Sequence, residues 1–253
     1  MKSIKRIGLA LGIIGLALTG VSCEKDDTLY YNNLTMGNIV EGKFISDQGN
    51  IFNVVEKECT GTIDSLSRVM ILCDVLRKTE GYENEYDIRL RDYSSVLEKD
   101  AITLENADAE EETSVTDPVL VDQLWYSGGY LNLLVKNFVK TDSDKKHLIN
   151  LVYHIDENGK YVFEVRHNAY GEVYGVDGTG SMTISGAYVS IPITKVIKED
   201  SAKIIMKWKW YREEASGYNY SQTKEYSFEY DWKRSGFEQT PKTLSLRTSA
   251  KLL

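Results

Sequence analysis

The sequence predicts an all-β protein with two parts, a small five-stranded barrel followed by a seven-stranded β-sandwich. The chain has 17 tyrosines and only three prolines among its 253 residues, and tyrosine and β-branched residues favour strands over helices. Short segments of alternating apolar and polar residues recur between glycine-containing turns such as Gly128-Gly129. The sequence shows no internal repeat of about 20 to 50 residues, so we do not expect a repeat architecture.

The first 22 residues have the layout of a secretory signal peptide. Three basic residues precede an apolar run, Ile7–Leu18, which is too short for a stable membrane span. The run closes on small residues and a cysteine, and this ending resembles the lipobox of bacterial lipoproteins, with Ser22 at the small position. We therefore expect cleavage before Cys23 and attachment of lipid to its thiol. The alternative is a buried N-terminal helix that ends near a cysteine.

Residues 23–36 are predicted to form a lipidated tether. Lys25, Asp26 and Asp27 lie close behind the cysteine, and this arrangement resembles the surface-export signal of lipoproteins in the Bacteroidota. The alternative is a solvated acidic tether that carries no such signal. The expected location is therefore the outer membrane, with the protein exposed on the cell surface.

The charge of the mature chain limits the classes of partner. Cleavage would remove Lys2, Lys5 and Arg6 and no acidic residue, which takes the formal net charge from −8 to −11. Proteins that bind nucleic acid use basic surfaces to neutralise phosphates, so this charge argues against nucleic acid as a partner. It also argues against a basic contact with anionic lipid, and the expected membrane contact is the lipid anchor alone.

Five short strands predict the barrel. In the fourth, Tyr86, Ile88 and Leu90 alternate with charged residues, so one face of the strand should be buried and the other wet. Five strands within about seventy residues suit a closed barrel of the OB type, which we place at residues 37–105. The predicted strands are Asn38–Ser46, Ile51–Glu58, Ser67–Arg77, Glu85–Tyr93 and Val96–Leu104.

The two cysteines that remain after Cys23 are Cys59 and Cys73, on consecutive predicted strands of this barrel. If those strands form a hairpin, the two residues are offset by six positions, which is on the order of 20 Å at about 3.3 Å per residue. That separation exceeds the reach of a disulfide. We therefore expect both to be buried thiols.

An acidic segment, residues 106–117, separates the barrel from the rest of the chain and is predicted to be a linker. The alternative is a long loop within a single domain. Seven further strands predict a β-sandwich at residues 118–253. They are Val119–Tyr126, Tyr130–Lys140, His147–Ile155, Tyr161–Asn168, Ser181–Pro192, Lys203–Arg212 and Lys224–Lys233.

Two apolar stripes on the last two of these strands predict the two halves of the sandwich core. They comprise Ile204, Met206, Trp208 and Trp210 on one strand and Tyr226, Phe228, Tyr230 and Trp232 on the other. We expect the Trp208 ring to belong to this core. The competing interpretation is that Trp208 and Trp210 form a surface on which a sugar stacks.

Several segments resemble the NigD-like lipoproteins of the Bacteroidota. The segment "LWYSGGYLNLLVKNFV", followed by "HLINLVYH" and "FEVRHNAYGE", is similar to their C-terminal β-sandwich domain. The earlier "MGNIVEGKFISDQGNIFNVVE" and "SRVMILCDVL" are similar to their N-terminal OB domain. The resemblance covers nearly all of the mature chain and implies its architecture, but it implies no particular activity. The family takes its name from a bacteriocin-associated locus.

The sequence offers no clear chemistry. His147 and His154 are an odd number of residues apart on one strand and so face opposite sides, while His167 is in phase with apolar residues. We therefore predict no metal site and no cofactor. Gly178-Thr179-Gly180-Ser181 lacks the spacing of a nucleophile elbow. No catalytic residue is proposed.

Two sets of surface residues are candidate sites. Thr28, Ser65 and Ser201 each follow an aspartate in triplets that resemble the acceptor motif for protein O-glycosylation in the Bacteroidota. Tyr218 and Tyr220 lie in a predicted loop, residues 211–220, and are candidate ligand contacts. The alternative for that loop is an ordinary hairpin tip.

Three functions remain open at this point. The first is a non-enzymatic, lipid-anchored surface module that binds a glycan, a peptide or a partner protein of the envelope, since OB barrels often bind oligosaccharides. The second is a bacteriocin-associated immunity or envelope-protection role, which rests on the family resemblance. The third is a hydrolase with its active site between the two domains.

Overall fold

The computed structural model describes residues 34–176 and 180–234, and it is all-β apart from short helices. Its N-terminal part is a closed barrel in which the strands are ordered β1-β2-β3-β5-β4. The five strands are β1 (Thr35–Val40), β2 (Lys43–Ser46), β3 (Ile51–Lys57), β4 (Arg68–Lys78) and β5 (Glu85–Ser95). The prediction of an all-β fold with an N-terminal five-stranded barrel is confirmed.

The first predicted barrel strand is in fact a hairpin. β1 and β2 pair in antiparallel fashion around a turn at Glu41-Gly42, and both turn residues have positive φ, 52° and 77°. A tight reversal of this kind needs left-handed backbone, which glycine adopts without steric cost. The predicted strand ran through this turn, although Glu41, Gly42 and Lys43 separate its apolar residues.

The predicted fifth barrel strand, Val96–Leu104, is wrong. The barrel closes without it, because β1 pairs with β4. Residues of this segment form β6 (Leu97–Glu98) and β7 (Ile102–Thr103), which pair with strands of the sandwich. An apolar run predicts a strand but not the sheet that the strand joins. The barrel still has five strands, because the first predicted strand is divided into β1 and β2.

The C-terminal part consists of two further sheets. One has the order β14-β13-β11-β10-β7 and the other β6-β12-β9-β8. Apolar side chains from both sheets form one core, which includes Leu131, Val189, Phe163 and Met206. The strands are β8 (Leu120–Ser127), β9 (Tyr130–Lys140), β10 (Leu148–Ile155), β11 (Tyr161–Asn168), β12 (Met182–Ile191), β13 (Ser201–Glu214) and β14 (Gly217–Lys233), with a 3₁₀ turn at Ile193–Lys195.

The segment predicted to be a linker carries two short helices, α1 (Leu104–Ala109) and α2 (Glu111–Ser114). They pack on the sandwich: Ala107 is fully buried, and the Arg166 guanidinium of β11 lies 2.6 Å from the Asp108 carboxylate. The Asn168 amide donates to the Glu112 carbonyl at 3.1 Å. The residue at which the barrel domain ends stays a prediction.

The barrel and the sandwich share a buried interface. Its apolar part contains Met36 and Met70 from the barrel and Trp125, Leu134 and Tyr188 from the sandwich. These side chains are buried, so the two parts are packed against each other.

Arg68, the first residue of β4, forms the polar part of this interface. Its guanidinium donates to both carboxylate oxygens of Asp47, at 2.9 and 2.8 Å, and to the Asn38 amide oxygen at 3.1 Å. It also crosses to the sandwich, where it donates to Ser190 Oγ at 2.7 Å and to Asn132 Oδ1 at 3.0 Å. All five N–H groups of the guanidinium can therefore be satisfied, as a buried charge requires.

The sandwich approaches Asp47 closely at Gly128. Ser127 donates its hydroxyl to the Asp47 carboxylate, and a Cβ at Gly128 would lie 2.3 Å from Asp47 Oδ1. Glycine is therefore required here both by its φ of +57° and by the contact itself.

The aromatic stripes of β13 and β14 are only partly buried. Ile204, Met206 and Trp210 are core residues, but Trp208 is half-buried, although it packs against core residues. On β14, Trp232 is fully buried whereas Phe228 is 38% exposed. β14 is the edge strand of its sheet, and an edge strand has one neighbour fewer to cover its side chains.

The two barrel cysteines are free thiols. Cys73 is buried, and burial raises the pKa of its thiol to about 12. Cys59 is only half-buried, which corrects the prediction of two buried thiols.

Candidate functional site

An aromatic cluster lies at one end of the sandwich, where β13 and β14 meet β9. The predicted loop at residues 211–220 is wrong, because β13 and β14 continue as a hairpin to Glu214 and Gly217. The hairpin brings Tyr218 and Tyr220 back over the sandwich. We call the following six residues the tyrosine cluster: Phe138, Tyr174, Trp210, Tyr211, Tyr218 and Tyr220.

The base of the tyrosine cluster is buried. Phe138 on β9 stacks on Trp210 of β13 with ring centroids 5.8 Å apart and an interplanar angle of 3°, and it meets Tyr211 edge-on. The Tyr211 hydroxyl donates to the Tyr174 carbonyl at 2.9 Å. Burial raises the pKa of Tyr211, so this hydroxyl keeps its proton and its hydrogen bond at neutral pH.

The rim of the cluster is exposed to solvent. Tyr174, Tyr218 and Tyr220 are 36%, 38% and 36% exposed. The rings of Tyr174 and Tyr220 have centroids 4.8 Å apart, and Tyr218 packs edge-on against Trp210. The result is a surface of three amphipathic rings held by a packed base, a type of surface that is common where proteins bind partners.

Tyr174 reaches this surface because the loop after β11 passes close to β14. Gly175 has a φ of +85°, and a Cβ there would lie 2.7 Å from the Tyr220 carbonyl oxygen. Only glycine permits this approach without displacing one of the two segments.

Buried polar groups lie in the sandwich beneath this loop. The ring nitrogens His147 Nδ1 and His167 Nε2 are 3.0 Å apart. The Asn137 amide nitrogen lies 2.9 Å from the first and 3.5 Å from the second. His147 Nε2 lies 3.3 Å from the Glu172 carboxylate, and His167 Nδ1 lies 2.9 Å from the Pro118 carbonyl.

The burial of these groups changes their proton affinities. Burial lowers the pKa of His167 to about 3, and the neighbouring His147 adds to the effect. Burial also lowers the pKa of His147, against the opposing influence of Glu172. Burial acts to raise the pKa of Glu172, but hydrogen bonds from Ser143 and His147 outweigh it, so the net shift is downward. Both imidazoles are therefore uncharged near neutral pH.

Two grooves lie away from the tyrosine cluster. One, of about 160 Å³, is lined by Trp208, Glu164 and Lys209 on the sandwich. The other, of about 270 Å³, is lined by Val54, Val55 and neighbouring residues of the barrel.

The other residues singled out in the sequence lie apart from this cluster. Ser65 is in an exposed turn of the barrel, and Ser201 is exposed at the start of β13. Cys23, Lys25, Asp26, Asp27 and Thr28 lie outside the described residues.

Two kinds of feature are absent from the described ranges, 34–176 and 180–234. No helix in them is both long enough and apolar enough to cross a membrane. They also hold no group of three or more histidine, cysteine, aspartate and glutamate side chains that could bind a metal ion.

Sequence reasoning missed Phe138, Tyr174 and the pairing of the two histidines. The register of β10 with β11 sets Ile149 opposite His167, which brings His147 beside His167 although twenty residues separate them. Tyr174 follows Gly171 and precedes Gly175, and aromatic residues between glycines are the one signal that could have marked this loop.

Comparison with known proteins shows what the chain is similar to. Residues 100–228, just over half of the 253-residue chain, match the family model described as the NigD-like C-terminal beta sandwich domain. No curated protein matches the chain.

Three solved structures share the fold. A NigD-like immunity protein from Bacteroides caccae is 21% identical with a TM-score of 0.52, over 78% of this chain and 95% of that one. A candidate toxin-related protein from Parabacteroides distasonis is 17% identical with a TM-score of 0.53, over 80% and 92%. A candidate lipoprotein from Bacteroides fragilis is 15% identical with a TM-score of 0.53, over 80% and 97%. Similarities at this level of identity show the fold.

Proposed function

The chain belongs to the NigD-like family, and on this premise we propose that it is a non-enzymatic, lipid-anchored cell-surface protein that binds its ligand with the tyrosine cluster. The ligand classes are a glycan, a peptide or a partner protein of the envelope. The observation that carries the proposal is the exposed rim of Tyr174, Tyr218 and Tyr220 on a buried aromatic base.

The chemistry of this surface supports binding. Tyrosine offers an apolar face and a hydroxyl group at a low cost in side-chain entropy, and aromatic residues are enriched at energetically important contacts. The packed base holds the three rings in place before a ligand arrives, which lowers the entropy lost on binding. The acidic charge of the chain argues against nucleic acid as the ligand.

Binding assays with alanine variants test the proposal. The mature chain is applied to glycan and peptide arrays, and hits are measured with Tyr174→Ala, Tyr218→Ala and Tyr220→Ala. We expect each variant to weaken binding about tenfold or more, as for other contact tyrosines, at a nearly unchanged melting temperature. Tyr82→Ala is the matched control, because Tyr82 is an exposed tyrosine of the barrel. Absence of any binding by the wild type, or equal loss with the control, would contradict the proposal.

The packed interface between the barrel and the sandwich favours a non-enzymatic role over a hydrolase with an inter-domain site. Met36, Met70 and Trp125 fill the apolar part of that interface, and Arg68 fills its polar part. A hydrolase would need an open cleft with converging polar groups at this position.

The membrane anchor is a separate element of the proposal. Cys23→Ala should leave the precursor unprocessed or release the protein from the membrane, because the lipidated thiol would be missing. Fractionation and metabolic labelling with a fatty acid measure this. A variant that still carries lipid and remains with the outer membrane would rule out lipidation at Cys23.

An immunity role is the second candidate function. It is favoured by the similarity to the NigD-like immunity protein from Bacteroides caccae. Deletion of the gene should then sensitise the cell to a bacteriocin of a competing strain, and complementation with Tyr218→Ala would show whether protection uses the same surface. Unchanged sensitivity to every bacteriocin applied would remove this candidate.

A further inference from the structure

Two buried histidines point ring nitrogens at each other and at the side-chain amide of Asn137. A carbonyl oxygen can only accept a hydrogen bond, so the 2.9 Å contact with Pro118 requires that His167 carries its proton on Nδ1. The 3.3 Å contact with the Glu172 carboxylate likewise requires the His147 proton on Nε2. In the neutral rings, the inner nitrogens are then both unprotonated, and their lone pairs face each other at 3.0 Å.

The hydrogen bonds from His147 Nε2 and His167 Nδ1 are of the kind that orients histidine ligands in metal sites. Histidine ligands commonly donate their second ring N–H to a carboxylate or a backbone carbonyl, which fixes the tautomer and orients the ring. His147 and His167 do so with one partner of each kind, Glu172 and Pro118.

A third potential ligand, the Asn137 side-chain amide, lies beside the two ring nitrogens. Its nitrogen lies 2.9 and 3.5 Å from them and donates to the Phe138 carbonyl at 3.3 Å, whereas its buried oxygen has no hydrogen-bond partner among the described residues. A half-turn about the last side-chain bond would exchange the two amide atoms and turn the oxygen toward the histidines, as binding of a cation would favour. Neighbouring ligands of a tetrahedral ion are about 3.3 Å apart for bonds of about 2.0–2.1 Å. The three atoms are close to that spacing.

We propose that His147 Nδ1, His167 Nε2 and the Asn137 amide oxygen form a binding site for a divalent transition-metal ion, with Zn²⁺ as the first candidate. Imidazole nitrogens suit zinc, copper, nickel and cobalt, whereas calcium and magnesium prefer oxygen ligands. The site lies inside the sandwich near the loop that carries Tyr174, and its existence does not depend on the proposed ligand surface. This proposal differs from the prediction of no metal site, because that prediction considered only the spacing of histidines along single strands.

Direct metal binding tests the proposal. The mature chain, purified without a histidine tag and treated with a chelator, is titrated with Co²⁺ and then with Zn²⁺. We expect one equivalent of Co²⁺ to produce a visible absorption band of the bound ion, and Zn²⁺ to displace it. Binding of a metal to the folded state should also raise the melting temperature. A wild-type protein that shows no cobalt absorption and no shift in melting temperature would overturn the proposal.

Three variants locate the ion. His147→Ala should abolish the cobalt absorption, whereas His154→Ala should leave it intact, because His154 is exposed near the far end of β10, the strand that follows His147. Asn137→Asp should tighten Zn²⁺ binding at least tenfold, since a carboxylate is a stronger ligand than an amide. This gain in Zn²⁺ affinity tests the proposal even if His147→Ala does not fold. If His154→Ala removes the signal, or Asn137→Asp leaves the affinity unchanged, the assigned ligands are wrong.

Discussion

At the scale of single residues, Arg68 is a buried charge that must be compensated by its neighbours. Its side chain is fully buried and so is that of its partner Asp47, and the guanidinium also stacks over the Tyr130 ring at 3.9 Å. A buried ion pair contributes little net stability compared with apolar residues, but the loss of one partner leaves an uncompensated charge in the interior.

We therefore expect Arg68→Met to lower the free energy of unfolding by about 3–5 kcal/mol. The double variant that also carries Asp47→Leu should lose less than the sum of the two single variants, because no charge is then stranded. Equilibrium denaturation measures all three. Lys195→Met is the matched control, since the Lys195–Asp100 pair is exposed to solvent and its loss should change little. Additive losses would show that the pair is not coupled.

The two tryptophans Trp208 and Trp232 should respond differently to truncation. Trp232 is fully buried and meets the Tyr126 ring edge-on, so Trp232→Ala should cost about 3–5 kcal/mol. Trp208 is half-buried and should cost clearly less, although its stacking on Tyr226 should still make the loss measurable. Thermal unfolding compares the two variants. A melting temperature of Trp208→Ala equal to that of the wild type would favour a role for this ring in binding.

At the scale of elements, α1 and α2 change what is expected of residues 106–117. Composition predicts a linker, yet Ala107 is buried against the sandwich and Arg166 binds Asp108. We therefore expect this segment to resist a protease in the wild type.

Ala107→Glu should detach the helices, because a carboxylate cannot be buried there without a partner, and cleavage between residues 104 and 116 should follow. Ala109→Glu is the matched control, since Ala109 is exposed on the same helix. Mass spectrometry of the limited digest identifies the sites. Rapid cleavage of the wild-type segment would instead support the linker.

Local patterns predicted most strands of this protein, but not their partners. Alternation and turn residues located β3, β5, β9 and β11 within a few positions, since those signals lie within each strand. They could not assign residues 96–104 to the sandwich, because pairing depends on the whole sheet. For the same reason, local patterns could not predict that Phe138, Tyr174 and Tyr220 lie together. Tyr218 and Tyr220 were candidates from the sequence because both are aromatic residues in a polar segment, and their role as ligand contacts stays a prediction.

At the scale of the whole molecule, the shared interface makes the barrel and the sandwich one unit. Apolar contacts from Met36 and Met70 and the hydrogen bonds of Arg68 join the two parts. We expect the mature chain to unfold in a single calorimetric transition, with equal calorimetric and van't Hoff enthalpies. Arg68→Met should lower the midpoint of this single transition, since it weakens the interface that joins the two parts. Two transitions in the wild type would show that the parts are independent.

The connection between the barrel and the sandwich, residues 97–103, also affects aggregation. β7 lies at one edge of the first sandwich sheet and β6 at one edge of the second, so this short connection covers part of an edge of each sheet in passing. Uncovered edges offer free backbone groups that recruit strands from other molecules. A sandwich produced without residues 97–103 would expose both edges and should self-associate, so the connection also protects these edges from pairing with another molecule.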